Sequence, residues 1–380
     1  MQPPFCAAAV LLSALAVSNP AAQADVFDLG PNLTSLEFVT VDLPGNPEDP
    51  ASASTQPGIG VVDASFRMGK FEVTNAQYAE FLNAKAADAD PFGLYSTSMT
   101  SENSGGIVRS GSPGAFAYAA KPGRENSPVN FVSFFDAARF ANWLQNGQGD
   151  GDTETGAYTF TGSNTIAAGR NADAQFFVPN ENEWYKAAYY QPADQGGDAD
   201  DYWLYPTQSN TIADNEALDG ANYFDGNFAG TGTTQYPFTV DPFLPVGSYT
   251  QGASFFGTFD QGGNVAEWTE TPFFPSGSVI RVVRGGAFDF PEGPLQSVGG
   301  ASANGNFEIL AIGFRIAAAV DQPCPGDTNA DGLINADDLL AVLGDFGQAG
   351  ADLAGDANAD GAVNADDLLL VLGAFGEPCP

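Results

Sequence analysis

Two acidic stretches near the C-terminal end carry the oxygen-bearing side chains that are best spaced to hold a metal ion. Residues 326–347 are repeated as 355–376 with five differences. Each repeat opens on a loop of about 12 residues in which Asp and Asn alternate with other residues, a glycine stands sixth and an aspartate closes the loop. Such a loop turns alternate side chains inward, as a hard cation such as calcium requires. The predicted calcium ligands are Asp327, Asn329, Asp331, Asn335, Asp338, Asp356, Asn358, Asp360, Asn364 and Asp367.

A further loop with two carboxylates lies in the glycine-rich middle of the chain. In the stretch GTFDQGGNVAEW, residues 257–268, Asp260 and Glu267 flank a Gly-Gly-Asn turn. Glycines let the backbone turn its carbonyl oxygens toward a cation between the two carboxylates. The alternative is a tight turn in which Glu267 caps a backbone amide, and the number of available oxygens favours calcium.

Soft donor atoms are nearly absent from the sequence. The chain has no histidine and only three cysteines, none of them between residues 7 and 323. Copper(I) needs thiolate or imidazole ligands, and Cys–His or Ser-His-Asp catalysis needs the same side chains. These chemistries are therefore excluded from the main part of the chain. Carboxylate pairs or a Ser–Lys arrangement would remain, and no motif favours either.

The charge balance limits the partners. The net charge is −35, from 12 basic and 47 acidic residues. Such a chain is repelled by phosphate backbones and anionic lipid headgroups, so nucleic acid and membrane surfaces are poor partners, whereas cations are good ones. Solubility in salty surroundings explains the acidity equally well.

The first residues have the composition of a secretory signal. Residues 1–24 carry no charge and contain the apolar run FCAAAVLLSALAV, followed by a small-x-small pattern that ends at Ala24. They predict a signal peptide, without its usual basic residue, and a mature protein that is secreted or associated with the cell surface. No later segment is long and apolar enough to span a membrane. Cleavage leaves Cys324 and Cys379, which predict a disulfide in an oxidising compartment, with a metal held between the two thiolates as the alternative.

Composition divides the mature chain into three parts. These are a leader with a strand LEFVTV and a linker (25–60), a large domain of short helices and long loops (61–318), and an acidic tail (321–380). Three helices of the large domain are predicted to begin at capping boxes, in which a polar side chain and the residue three positions later satisfy each other's backbone amides. The predicted pairs are Thr74 with Gln77, Ser133 with Asp136, and Asn180 with Glu183.

Six separated motifs of the large domain resemble, in the same order, the sulfatase-modifying-factor family, which has the fold of formylglycine-generating enzyme. They are FRMGKFEVTNAQYAEFLNA (66–84), SPVNFVSFFDAARFANWL (127–144), FVPNENEWYKAAYY (177–190), GTFDQGGNVAEWTE (257–270), RVVRGGAF (281–288) and GFRIA (313–317). The resemblance implies an α+β fold related to C-type lectins and poor in regular secondary structure. It implies calcium bound by the side chains of Asp260 and Glu267 and by the carbonyls of Gly263 and Val265. A second calcium site would start at Asn222, although its later acidic ligand has no match.

The same resemblance places the redox centre of the family on residues that hold no metal. In formylglycine-generating enzymes, two cysteines after an RGGS-like motif bind copper(I), and a serine lies nearby. Counted without gaps, these positions are Phe290, Leu295 and Ala287 in this chain. Related sulfoxide synthases hold iron with histidines, which this chain lacks. Neither copper nor iron is therefore expected, nor is formylglycine-generating oxidase activity.

The groove that holds the substrate peptide in these enzymes would then recognise a peptide, a glycan or a surface protein. Its predicted lining is Trp268, Arg284, Phe288, Phe290 and Arg315. For Trp268 and Arg315 the equal alternative is a place in the core, with Arg315 in a buried pair.

The tail, over residues 324–379, resembles a dockerin, an all-α module of two EF-hand-type loop-helix repeats that docks onto a cohesin in secreted assemblies. Its loops end in Asp, where the usual EF-hand loop ends in Glu. Leu339, Leu340, Leu343 and their repeat partners are expected to pack the module. The resemblance implies that docking specificity lies in four residues that are identical in the two repeats, so that either helix would dock. These residues are Ala336, Asp337, Ala365 and Asp366.

The sequence thus predicts a secreted, calcium-stabilised recognition protein that is anchored through its tail to a cohesin-like or cell-surface partner. Two alternatives stay open. One is an enzyme of unrecognised chemistry, related to polysaccharides or sulfatases and delivered to an extracellular assembly. The other is a structural component of an extracellular matrix.

Overall fold

The computed structural model describes residues 25–27, 35–229, 234, 242–274, 278–320, 326–329, 333–350, 353–358 and 360–376. The predicted signal peptide (1–24), the two cysteines Cys324 and Cys379, and the loop residue Asp331 lie outside these residues. In the described part of the chain, no helix has the length and apolar character needed to cross a bilayer.

Short helices and strands alternate along the chain. The strands are β1 (Asp25–Phe27), β2 (Leu36–Val41), β3 (Phe66–Gly69), β4 (Ile107–Ser112), β5 (Ala115–Ala120), β6 (Tyr158–Gly162), β7 (Thr165–Arg170), β8 (Phe176–Phe177), β9 (Ala266–Pro272), β10 (Ile280–Arg284), β11 (Ala301–Asn304), β12 (Ile312–Gly313) and β13 (Ala317–Ala319). The α-helices are α1 (Asn75–Lys85), α2 (Ser98–Ser101), α3 (Phe134–Gln145), α4 (Glu181–Tyr189), α5 (Ala336–Asp345) and α6 (Ala365–Gly373).

A five-stranded antiparallel sheet joins the two ends of the large domain. Its strand order is β1–β2–β3–β13–β8. The strand predicted in the leader is β2, and it pairs with β3 so that Val41 lies opposite Phe66. The domain therefore begins before residue 61, where composition alone placed its start. Composition could not reveal this boundary, because β2 belongs to the domain only through its pairing with β3, about 30 residues later in the chain.

A four-stranded sheet, β11–β10–β9–β12, holds the loop with the two carboxylates. Strand β9 begins at Ala266, inside this stretch, and β12 runs parallel to β9 with Gly313 opposite Glu267. Because Arg315 follows β12 by two residues, this pairing brings Arg315 close to Glu267. The sheet thus fixes the position of the loop relative to the C-terminal end of the domain.

The three capping boxes predicted from the sequence are confirmed. Thr74, Ser133 and Asn180 each accept from the backbone amide three residues later, and the side chain at that position accepts from the backbone of the cap in return. Each pair satisfies two amides that a helix end otherwise leaves unpaired, and a good N-cap stabilises a helix by about 1 kcal/mol. These local interactions set where α1, α3 and α4 begin.

An aromatic cluster holds α1 and α3 together beneath the first sheet. Phe81 lies edge-on to Phe140 at a ring distance of 5.4 Å, and Trp143 lies 5.3 Å from Phe81. Phe314, from the segment between β12 and β13, contacts Phe140 at 5.5 Å. All four side chains are buried. Aromatic packing of this kind supports a domain that has little regular secondary structure.

The capping residue Asp136 provides a prediction about pH. Burial raises the pKa of its carboxyl from an ordinary 3.8 to about 7, against the hydrogen bonds from Ser133 that lower it. The folded state then binds a proton more tightly than the unfolded state between the two pKa values, so this carboxyl lowers stability as the pH rises from 4 to 7. We expect Asp136→Asn to gain stability relative to the wild type over that range, by up to about 4 kcal/mol.

The measurement is urea denaturation of both proteins at several pH values. Asp173→Asn is the matched control because Asp173 lies exposed in a loop. The stability of Asp173→Asn is expected to stay within about 0.5 kcal/mol of the wild type, because substitutions of exposed surface residues have small effects. A constant difference for Asp136→Asn would contradict the prediction.

The tail forms a two-helix unit with a small core of its own. Its buried apolar residues are Ile334, Val342, Val363 and Val371. Leu339 is partly buried against them, whereas Leu340 and Leu343 are exposed. The expectation that all three leucines pack the module was therefore wrong for Leu340, Leu343 and their repeat partners Leu369 and Leu372. At helical spacing, residues 339 and 342 share the inward face, and residues 340 and 343 lie on the outward one.

Candidate functional site

The loop at residues 257–268 folds as the tight turn that its glycines predict. Gly263 has a φ of +90°, which side-chain-bearing residues rarely adopt. A Cβ at this position would lie 2.2 Å from the carbonyl oxygen of Asn222. Asn264, at a φ of +59°, donates its amide to the same carbonyl at 2.8 Å. The loop is thus closely packed on the segment around Asn222.

Glu267 is held in a buried ion pair with Arg315. Arg315 donates from Nε to Glu267 Oε2 at 2.6 Å and from Nη2 to Oε1 at 2.7 Å, and both side chains are fully buried. Trp184 adds a hydrogen bond from Nε1 to Oε2 at 2.8 Å. The alternative reading of Arg315 as a member of a buried pair is confirmed. Since a carboxylate oxygen accepts about two hydrogen bonds, Oε1 retains a lone pair for a cation.

A third carboxylate, that of Glu72, lies against this loop, and it was not among the residues predicted from the sequence. Glu72 Oε1 accepts from the Val265 amide at 3.2 Å, and Oε2 accepts from Asn264 Nδ2 at 3.1 Å. Burial, followed by the charges of Asp260 and Glu267, raises the pKa of Glu72 well above its ordinary value. No metal-like spacing marks Glu72, because almost 190 residues separate it from the loop.

The buried carboxylates around this loop carry an excess of negative charge. Burial raises the pKa of Asp260 to about 6, and Glu267 adds to that effect. Three neighbouring carboxylates, those of Glu72, Asp260 and Glu267, face one buried guanidinium, that of Arg315, so two negative charges stay uncompensated when all are ionised. Asp260 Oδ2 accepts from the Gly247 amide at 2.6 Å, which fixes the side chain. In the described residues, no three acidic side chains already converge as a metal site.

Asn222, where the second calcium site was predicted to begin, contacts the loop at residues 257–268. Asn222 Nδ2 donates to the Pro242 carbonyl at 2.9 Å and to Asn264 Oδ1 at 3.0 Å. Its side-chain amide therefore links two loops. Residues 230–233 and 235–241, which follow Asn222 in sequence, lie outside the described part of the chain.

The predicted groove lining must be corrected because four of its five residues are buried. Trp268 is fully buried and donates from Nε1 to the Val132 carbonyl at 3.0 Å. Arg284, Phe288 and Arg315 are also buried, and only Phe290 is exposed. The pattern misled here because a large aromatic or arginine residue beside a glycine-rich turn suits a core position as well as a surface groove.

The positions of the family redox ligands carry apolar side chains. Ala287 and Leu295 are buried, and Leu295 packs in a small cluster with Tyr205, Ala221 and Tyr223. Phe290 is 41% exposed. None of these side chains has a donor atom for copper or iron, so the residues present do not fit either redox metal.

The closing aspartates of both tail loops turn inward. Asp338 accepts from the amides of Thr328 at 2.7 Å and Asn335 at 2.9 Å. Burial would raise the pKa of Asp338, but these and neighbouring hydrogen bonds lower it overall. Asp367, its repeat partner, accepts from the amide of Asn364 at 2.8 Å in the same way.

The other predicted calcium ligands of the tail make hydrogen bonds that differ from those of the closing aspartates. In the second loop Asp356 accepts from the amides of Asp360 and Gly361, so both ends of that loop face its centre. Asn335 and Asn364 cap α5 and α6 through their side-chain oxygens. Asn335 and Asn364 hold the ninth position of their loops. The residue at this position often binds calcium through a water molecule, so its side-chain oxygen can also accept a hydrogen bond from a helix amide. Asp327, Asn329 and Asn358 lie in the described part of the loops, and Asp331 lies outside it.

A separate groove, which sequence patterns did not reveal, lies at the N-terminal end of α4. Its larger lobe has a volume of about 550 Å³ and its smaller lobe about 330 Å³. Glu181 and Thr271 line both lobes. Arg284, assigned to a ligand groove from the sequence, lies beneath this one and pairs with Glu181. The capping box at Asn180 located the helix end but gave no sign of the cavity.

Comparison with known proteins gives one family for the large domain. The family model described as sulfatase-modifying factor enzyme 1-like domain matches residues 37–320. A curated relative, hercynine oxygenase of Mycolicibacterium smegmatis (strain ATCC 700084 / mc(2)155), is 26% identical over 252 residues, which are 62% of this chain and 46% of the relative. The chain thus spans about half the length of this relative.

Three solved structures align with the chain. The structure of CarF has a TM-score of 0.47 at 21% identity and covers 75% of this chain and 99% of its own. Treponema denticola variable protein 1 has a TM-score of 0.47 at 15% identity, covering 78% and 99%. PvdO from Pseudomonas aeruginosa has a TM-score of 0.42 at 18% identity, covering 78% and 98%.

The family match runs from the second residue of β2 to the residue after β13, and so spans strands β3 to β13 and helices α1 to α4. It also places the domain start within the strand that composition had assigned to a leader. The chain therefore belongs to the sulfatase-modifying factor enzyme 1-like domain family.

Proposed function

We propose that this chain is a secreted, calcium-stabilised recognition protein in which the family fold no longer activates oxygen. The observation that carries the proposal is the difference between two sites of one domain. The loop around Asp260 keeps oxygen ligands suited to a hard cation, whereas the redox positions Ala287, Phe290 and Leu295 hold no soft donor. A metal-binding fold that keeps only hard ligands retains structural binding and loses redox chemistry.

In this proposal calcium at the Asp260 loop holds the domain together. The ion would take the side chains of Asp260 and Glu267 and the carbonyls of Gly263 and Val265. The excess of buried negative charge around Glu72 supports this, because a divalent cation would neutralise it. No step of a reaction depends on the ion, which acts as a crosslink between the loop and the sheet.

The tail, in this proposal, is a dockerin-like anchor that binds calcium in both loops. Helices α5 and α6, each with a phenylalanine just beyond its C-terminal end, present matching exposed apolar side chains, namely Leu340, Leu343 and Phe346 for the first and Leu369, Leu372 and Phe375 for the second. The residues implied in docking are exposed at the starts of the same helices; they are Ala336, Asp337, Ala365 and Asp366. An acidic module with exposed apolar residues suits one kind of partner, a folded cohesin-like domain with an apolar surface. The disulfide between Cys324 and Cys379 and the secreted location belong to the same proposal.

The test is activity against a peptide with the cysteine motif of sulfatases, with copper and a reductant supplied. We expect no conversion above the rate without protein, because no cysteine or histidine of the domain can hold the metal. A formylglycine-generating enzyme run alongside is the positive control. Conversion of the peptide by this chain would overturn the proposal.

A further inference from the structure

The groove at the start of α4 has a fixed acceptor on its floor. Glu181 is 8% exposed and lines both lobes. Its Oε1 accepts from Arg284 Nε at 2.8 Å and from Gln56 Nε2 at 3.2 Å. Its Oε2 has no hydrogen-bond partner among the described residues. A carboxylate oxygen held rigidly at the wall of a cavity is ready to accept hydrogen bonds from a ligand.

The negative charge of Glu181 is balanced by the guanidinium of Arg284. Arg284 pairs with Glu181 and is itself nearly inaccessible to solvent. A ligand in the larger lobe therefore meets hydrogen-bonding groups whose charge is balanced, whereas the smaller lobe also has the exposed carboxylate of Asp63 on its wall. The strongly acidic chain around it disfavours anionic ligands, so the groove favours a neutral one.

The walls add hydroxyl and amide groups. Thr271 Oγ1 accepts from the Glu181 amide at 2.8 Å, which leaves its hydroxyl proton to donate. Asn182 Oδ1 accepts from the Gly60 amide at 3.1 Å, and its Nδ2 has no partner in the described part of the chain. The walls of the groove thus offer both donors and acceptors to a ligand.

An apolar rim stands on one side of the larger lobe. Phe273 is 49% exposed and Val298 is 54% exposed, and both line the lobe. The ring of Phe274 lies edge-on to that of Phe273 at 4.8 Å and orients it. An exposed aromatic ring next to fixed polar groups can stack on a flat, weakly polar face.

We propose that this groove binds a neutral saccharide chain. A sugar ring has an apolar face for Phe273 and hydroxyls that both donate to Glu181 Oε2 and accept from Asn182 and Thr271. A volume of about 550 Å³ falls within the range of small-ligand sites. This inference rests on the proposed function, because it names the ligand class of the recognition domain.

The experiment titrates the mature protein, in calcium, with cellohexaose, xylohexaose, laminarihexaose and mannohexaose by isothermal calorimetry. We expect at least one of them to bind. We expect Phe273→Ala to weaken that binding about tenfold or more. Asn182→Asp keeps the acceptor for Gly60 but loses the donors, and is expected to weaken binding about threefold or more. Phe307→Ala, an equally exposed phenylalanine outside the groove, is the matched control and should bind as the wild type does.

The saccharide site would be overturned by absence of binding to all four sugars at millimolar concentration. It would also be overturned by binding that Phe273→Ala leaves unchanged, or by binding of an unstructured apolar peptide in place of the sugars. These results leave the proposed function standing as long as the copper assay shows no conversion. Conversion in that assay overturns the proposed function separately.

Discussion

Replacing Arg315 with methionine is expected to lower the free energy of unfolding of the large domain by about 3–5 kcal/mol. The change leaves Glu267 buried without its partner, next to Glu72 and Asp260. It also removes donors to the carbonyls of Gly69 and Phe259, which connect the loop to the first sheet. An uncompensated buried charge costs far more than a lost surface pair because water cannot reach it.

Urea denaturation of the two proteins at the same calcium concentration measures this effect. Lys70→Met is the matched control, because Lys70 pairs with Glu37 at 2.9 Å on the surface, where the side chains are 25% and 38% exposed. Such an exposed pair contributes less than about 1 kcal/mol. A loss for Arg315→Met no larger than that for Lys70→Met would show that the buried pair does not hold the loop in place.

Removing calcium is expected to unfold the tail at a much lower temperature while the large domain loosens less. In the part of the tail that the structure describes, the core consists of four buried aliphatic residues, and a core of that size is too small to stabilise a unit of about 50 residues unaided. Metal binding then supplies the folding free energy, about 4 kcal/mol for each loop at calcium 1,000-fold above its dissociation constant. The large domain has an extensive aromatic core of its own, and depends less on the ion.

Differential scanning calorimetry with calcium and with chelator tests this result. Asp338→Ala and Asp367→Ala should each reproduce part of the loss, because these carboxylates close the two loops. Asp366→Ala is the matched control, since Asp366 is the exposed neighbour of the buried Asp367 and is not among the predicted calcium ligands. Identical melting curves with and without chelator would contradict calcium binding by the tail.

Local signals in the sequence located several elements correctly. The three capping boxes were readable because all the atoms involved lie within four residues of each other. The strand LEFVTV was predicted from its β-branched and apolar residues, and it is β2. The six motifs identified the family, which the match over residues 37–320 confirms. The absence of histidine and of cysteine from the large domain argued against a thiolate-held copper centre and a histidine-held iron centre without any structure.

Burial, by contrast, was decided by the tertiary structure. Trp268, Arg284 and Phe288 carry side chains that suit a binding groove or a core equally well. Only the packing of β9 and β10 against the rest of the domain shows that they are buried. For the same reason Leu340 and Leu343 turned outward, since the partner helix covers one face of α5 and leaves the other open.

The sequence by itself therefore determined the family, the oxygen-rich character of the predicted calcium loops and the lack of thiolate and imidazole ligands in the large domain, because these depend on residue types and on short spacings. Only the tertiary structure brought Glu72 to the Asp260 loop, paired Arg315 with Glu267, and set Glu181 above Arg284 at the floor of a groove. The partners in these contacts lie from 48 to 193 residues apart along the chain. No local pattern encodes such contacts, because they arise only when the sheets pair distant strands and carry the side chains together.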